Sequence, residues 1–146
     1  MILQFVTSET LSDRIIRFMT KSPFSHVDIV LDNGLLGARL NGGVKIRNFD
    51  YMKFSKVVKY KVDIPDDASK VAIQAAISQI GKPYDWRAVF SWLFFMREWD
   101  DPNKWFCSEL IAWAIHQAHY SITNWSHSKM VSPQDLLYST MLKEVL

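Results

Sequence analysis

Apolar positions recur with two different periods along this chain, and the changes of period divide it into elements. Met1 to Thr7 reads as a strand. Ser8 or Thr10 then offers a cap for a helix with apolar positions at Leu11, Ile15, Ile16 and Met19, which Lys21-Ser22-Pro23 ends. Ser25 to Leu31 and Leu35 to Leu40 are apolar runs separated by Asp32-Asn33-Gly34, and Asn-Gly between two such runs signals a hairpin. Gly42-Gly43 turns the chain into Val44 to Arg47, and Val57 to Ile64 is a further strand closed by Pro65. Asp66 or Asp67 is placed to cap a helix carrying Val71, Ile73, Ala76, Ile77 and Ile80, which Gly81-Lys82-Pro83 stops. Trp86 to Trp99 reads as a helix apolar nearly all round, either buried or forming a lid or groove wall. Strand, helix, several antiparallel strands and then helices make an α+β order.

The clearest helical pattern begins at Cys107, with apolar residues at 107, 110, 111, 114, 115 and 118. Asp101-Pro102 or a later cap can start it, so Cys107 falls in the first or second turn. A thiol in the first turn feels the positive end of the helix dipole, which lowers its pKa and suits a nucleophile. The same inward position suits an inert core cysteine. Ser132-Pro133-Gln134-Asp135-Leu136 starts a short final helix.

If Asn33-Gly34 is a two-residue turn, Asp32 faces Leu35, Asp28 faces Arg39 and His26 faces Asn41. Strand alternation then gathers His26, Asp28, Arg39 and Asn41 on one face, with Val27, Ile29, Leu36, Ala38 and Leu40 on the other. The polar face is either solvated or a site, and a longer turn would change the register.

Composition narrows these readings. The 146 residues, 49% hydrophobic and 22% charged, suit one globular domain spanning residues 1–146. A net charge of +2 without a dense Lys/Arg run argues against a nucleic-acid partner. One cysteine leaves no internal disulfide and no multi-cysteine zinc site, and no metal-ligand spacing such as H-E-x-x-H occurs, so no metal or cofactor is expected. His116 and His119 flank a helix end and His127 lies in a polar stretch, where ordinary surface histidines are expected. The N-terminus has no signal-peptide pattern, and no apolar run reaches about 18 residues, so no stable membrane insertion is expected. Six tryptophans, concentrated in the second half, point to an aromatic core or groove there.

Ser25-His26-Val27 opening a strand, Gly81-Lys82-Pro83-Tyr84-Asp85-Trp86 after a helix, Phe106-Cys107-Ser108-Glu109-Leu110 opening another, and Ser132-Pro133-Gln134-Asp135-Leu136 near the end together resemble the circularly permuted branch of the NlpC-type, papain-fold cysteine hydrolases. That branch includes the YiiX-like bacterial proteins and, more distantly, the lecithin:retinol acyltransferase-like enzymes. The resemblance implies a small antiparallel sheet packed against a central helix starting near Cys107. It implies a thiol hydrolase of amidase or peptidase type, with Cys107 as nucleophile, His26 as base, Tyr84 beside the site, and the backbone of Cys107 or Ser108 at an oxyanion hole. Its substrate would be an amide in a peptide or peptidoglycan stem, with a lipid ester or amide as the alternative. Because the look-alikes are bacterial and phage proteins, the implied location is the cytoplasm or a phage particle. In relatives the histidine-orienting residue commonly sits on the next strand, near Gly37 or Ala38 here, and neither side chain can act. Asp28 ranks ahead of Asn41 as its replacement, a dyad remains open, and so does an inactive binding or structural protein on the same fold.

Overall fold

The computed structural model describes residues 1–85, 103–123 and 131–145. The expected helix over Trp86–Trp99, together with Asp101-Pro102 and His127, lies outside them. The first half folds as its alternation suggests. Strands β1 (Ile2–Thr7), β2 (His26–Leu31), β3 (Gly34–Arg39), β4 (Gly43–Arg47) and β5 (Lys56–Val62) join β6 (Leu142–Val145) in one antiparallel sheet ordered β4-β3-β2-β1-β5-β6. With the helices α1 (Leu11–Thr20), α2 (Asp66–Ile77), α3 (Cys107–Gln117) and α4 (Pro133–Leu137), this is an α+β architecture.

The β2–β3 hairpin turns one residue earlier than Asn-Gly suggests. Leu31 pairs with Gly34 and Ile29 with Leu36, so Asp32-Asn33 form the loop. Continuing that register sets Asp28 opposite Gly37 and His26 opposite Arg39, two residues from the expected pairing. A shift of two leaves every side chain on its expected face. Leu3, Phe5, Val27, Ile29, Leu36 and Ala38 form the apolar face, while exposed Leu40 lies beyond β3. The opposite face is not solvated: Gln4, His26, Asp28 and Arg47 are all buried.

The apolar face carries α3, which crosses β2 and β3 and packs on α2. Leu110, Ile111, Ala114 and Ile115 fill this interface with Ala72 and Ala76. Each fully buried Leu or Ile here contributes about 1.5–3 kcal/mol. The helix is buried on more than one stripe, since Ser108, Glu109 and Ala112 are also enclosed. It begins at Cys107 itself. Phe106 is the N-cap and, lacking a side-chain acceptor, supplies half a capping box: its N–H donates to Glu109 Oε2 at 3.2 Å.

Three further expectations change. Pro65, not Asp66 or Asp67, is the N-cap of α2; both aspartates lie in its first turn, where the helix dipole favours them, and the helix ends at Ile77 rather than near Ile80. Strand β6 was not visible because Leu142-Lys143-Glu144-Val145 is short and mostly exposed. Helix α1, capped by Thr10, buries Asp13 and Thr20, half-buries Ile16 and Met19, and leaves Leu11 and Ile15 exposed. Asp13 accepts from the Ser8 N–H at 3.1 Å and from Ser8 Oγ, which turns that acid toward the body. Among the described residues no helix is long and apolar enough to cross a membrane.

Replacing Ile111 by Ala at the centre of the α3 interface is expected to cost about 2–5 kcal/mol, read as a lower urea midpoint with an unchanged slope.

Candidate active site

The start of β2 carries the chain's most constrained polar group. His26 Nε2 lies 2.7 Å from Asp28 Oδ1, with both side chains buried. Residues i and i+2 of a strand share a face, which places the two together. A carboxylate only accepts, so the proton between them belongs to Nε2 and Nδ1 keeps the lone pair. Tyr51 donates its hydroxyl to Asp28 Oδ2 at 3.2 Å, occupying the second carboxylate oxygen. Across the sheet, Gly37 leaves the room this pair needs. A methyl group there would overlap Asp28 Oδ1 and come within 3.4 Å of His26 Nε2.

Two arginines frame the pair. Arg39 lies over the Tyr51 ring, 5.0 Å from its centroid, and 5.9 Å from that of Phe54. Arg47 is buried and donates to the carbonyls of Gly37, Asn41, Gly43 and Lys45 at 2.8–3.3 Å, which ties the β3–β4 turn to β4. Burial, then the charge of Arg39, lowers the His26 pKa against the smaller opposing pull of Asp28, so the imidazole is neutral at pH 7. Burial alone would raise Asp28, but His26, Arg39 and the Tyr51 bond hold its carboxyl below the usual range. Burial raises the Tyr51 hydroxyl, so Tyr51 remains a donor.

Cys107 occupies the first position of α3 and is 1% exposed. Its sulfur meets β2 through the N–H of Val27, the residue after His26, with the Ser108 N–H beside it; both favour the thiolate. Burial outweighs them and pushes the thiol up to about 12, reversing the lowering expected from the helix dipole. No hydrogen bond joins the His26 ring to the Cys107 sulfur among the described residues. Tyr84 is set beside this corner by the chain after α2. Val44 holds this segment through two backbone bonds, its N–H donating to Lys82 O and its carbonyl accepting from the Gly81 N–H, each at 2.9 Å. The Asp85 N–H then bonds Trp105 O at 3.1 Å. A side chain at Gly43 would overlap the Lys82 carbonyl, and its φ of +63° also favours glycine. The Tyr84 ring lies 5.7 Å from that of Phe106, and burial raises its hydroxyl well above its ordinary value.

A cavity of about 870 Å³ opens on the His26 side of β2. Ser25, His26, Arg39, Tyr51 and Tyr84 line it, with Ile15 and Ile16 of α1 forming an apolar wall. The fold therefore brings His26 and Asp28 together, sets Tyr84 in the same cavity and lays Cys107 against β2. Asn41 lines the same cavity but, among the described residues, makes no hydrogen bond to His26; it is exposed beyond β3 and holds Arg47 through its carbonyl. The Ser108 hydroxyl is also turned away, donating to the Val131 carbonyl, so only its backbone N–H faces the thiol. Tyr51 and Arg47 escaped the sequence reading. Arg47 was detectable as the polar partner of Val44 and Ile46 in β4, whereas Tyr51 lies in an irregular segment with no period to mark it.

No protein-family model and no curated protein matches the sequence. Among solved structures, the chain is similar to the crystal structure of metalloprotein yiiX from Escherichia coli O157:H7, DUF1105. The TM-score is 0.73, the match covers 99% of this chain and 94% of that one, and the sequences are 19% identical. The likeness establishes a YiiX-like fold. His26 and Asp28 provide two adjacent ligand atoms, but among the described residues no group of three or more His, Cys, Asp or Glu side chains could hold a metal ion.

Two outcomes follow from this geometry. Gly37→Ala is expected to lower stability by about 1–3 kcal/mol and to part Asp28 from His26, read by urea unfolding and by the imidazole resonances in NMR. The thiol's pKa is higher in the folded state than its ordinary value of 9.0. Its contribution to stability is thus complete below pH 9 and is lost as pH rises toward about 12, because the unfolded chain releases that proton first. The urea midpoint of wild type should fall relative to that of Cys107→Ala between pH 8 and pH 10, about one unit either side of the ordinary thiol value. Native alkylation should stay slow across the same range.

Proposed function

We propose that this protein is a thiol hydrolase of the permuted NlpC type, cleaving an amide through an acyl-enzyme on Cys107. The observation that carries the reading is the buried His26–Asp28 pair, which begins one residue before the backbone N–H that meets the Cys107 sulfur. The YiiX-like fold supports it, and so does Gly37, whose missing side chain leaves space for Asp28 to orient the histidine from its own strand.

With Nε2–H held on Asp28, Nδ1 of His26 is the acceptor available for the thiol proton. The sulfur attacks the amide carbonyl carbon as His26 takes that proton, and Asp28 stabilises the imidazolium that forms. The tetrahedral oxyanion is held by backbone N–H groups at the start of α3, those of Cys107 and Ser108. His26 returns its proton to the amine nitrogen as the C–N bond breaks, leaving a thioester. A water then gives a proton to His26 and attacks the thioester carbon. The acid leaves as the C–S bond breaks, and the sulfur regains its proton from His26. The resting thiol is neutral, so charge separates only as the proton passes to His26 during the attack. The substrate class is a peptide or peptidoglycan-stem amide, with an acylated lipid as the alternative.

A second reading, a non-catalytic binding module, draws on the enclosure of Cys107 and its pKa near 12. The two separate on turnover. Across a panel of acyl amides, muropeptides and acyl lipids, the hydrolase reading expects a thioester mass on Cys107 in quenched wild-type reactions. It expects complete loss of turnover in Cys107→Ala and a loss of about 10²–10⁴ in His26→Ala. Asp28→Asn should lower kcat more than it raises KM, with the pH–rate profile displaced. Hydrolysis by Cys107→Ala at the wild-type rate would sink the hydrolase reading.

A further inference from the structure

Helix α1 places two polar residues inward beside the half-buried Ile16: Asp13 is bonded to Ser8, and Thr20 donates to the Ile16 carbonyl at 2.8 Å. Its outward side is apolar. Leu11 is 73% exposed, Ile15 44% and Phe18 84%, at the i, i+4, i+7 spacing of a single stripe. Scattered surface leucines are ordinary, but here Leu11, Ile15 and Phe18 form one contiguous exposed row, while Ile16 packs on the core and Met19 is half-buried. The stripe does not stop at the helix. Ile15 and Ile16 line the cavity that holds His26, as does Leu40, itself 65% exposed.

Charge selects what covers this surface. The one acid within α1 is turned inward, whereas Arg14, one turn before Phe18, and Lys21, at the helix end, are both exposed. Lys45 adds a further basic group at the cavity wall, against two exposed acids, Glu9 before the cap and Asp50 beside the cavity-lining Tyr51. An apolar stripe edged by Arg and Lys is the pattern of a helix lying in a bilayer interface, its apolar side among the acyl chains and its cations at anionic headgroups. A second copy of the chain related by a two-fold axis would instead set the same basic edge against itself.

We propose that the outer face of α1, with Leu11, Ile15, Phe18, Arg14 and Lys21, docks the protein reversibly on an anionic lipid surface, with the mouth of the His26 cavity at the membrane. The proposal does not depend on hydrolysis. The test is co-sedimentation of the full chain with vesicles of phosphatidylcholine alone, or of phosphatidylcholine and phosphatidylglycerol in equal parts. Wild type should bind the anionic vesicles, more weakly as salt rises, and bind the neutral ones at least about tenfold less. The pairs Leu11→Asp with Phe18→Asp, and Arg14→Glu with Lys21→Glu, should each weaken binding by about tenfold or more. Both alter exposed positions, so their thermal midpoints should match wild type. Cys107→Ala should bind as wild type does, which keeps this result separate from the fate of the hydrolase reading. Three results would overturn the proposal: no binding to anionic vesicles, equal binding to both kinds, or a dimer in analytical ultracentrifugation that Phe18→Asp dissociates in place of any vesicle binding.

Discussion

The hydrogen bond between His26 and Asp28 is the interaction on which the rest of the site depends. It is buried on the sheet face opposite the apolar core, where an unpartnered carboxylate would be costly. Its neighbours answer that requirement. Tyr51 satisfies the second oxygen, Arg39 supplies positive charge, and Gly37 yields the volume that a side chain would take. Arg47 then fixes the β3–β4 turn across from the pair through four main-chain carbonyls. Because each group answers a need created by another, the cluster behaves as a unit, and the effects of single changes within it will not add.

The same burial sets the pair and the thiol against each other. Withdrawing water lowers His26 and raises Cys107, so both effects disfavour the imidazolium–thiolate pair in the resting state. The Val27 and Ser108 N–H groups oppose that tendency at the sulfur, and Asp28 opposes it at the imidazole. The resting site therefore holds a neutral imidazole and a neutral thiol.

Much of this was legible in the sequence because strands carry their faces in their parity. The register of the hairpin was misplaced by two residues, yet His26, Asp28 and Arg39 stayed on one face, since an even slip preserves alternation. The preference for Asp28 over Asn41 followed from carboxylate chemistry, and the 2.7 Å bond agrees with it. The ionisation of Cys107 was not legible. Its place at a helix start suggests a lowered pKa, but desolvation is a property of everything packed around the sulfur, which no local pattern encodes. Helix α1 misleads for a related reason. Periodicity shows that Leu11, Ile15 and Phe18 share a stripe, but it does not show that Asp13, bonded to Ser8, takes a buried place on the other side. Tyr51, in an irregular segment, reaches Asp28 across a sequence separation that no short motif spans.

The last strand has a role beyond completing the sheet. Without β6, the open border of the sheet would be β5, seven residues long with Val57, Val58 and Tyr60 along it and its hydrogen-bonding groups unused on one side. Such a border is a template for pairing with another chain. β6 pairs with Lys59–Val62 and presents there a border of four residues, two of them charged, and Lys143 is further tied to Asp63 at 2.6 Å. Three lysines within β5 itself, at positions 56, 59 and 61, work to the same end. The closing strand thus guards against aggregation: shortening the chain at Met141 would leave the His26–Asp28 pair intact while opening the Lys59–Val62 edge to pairing with another chain.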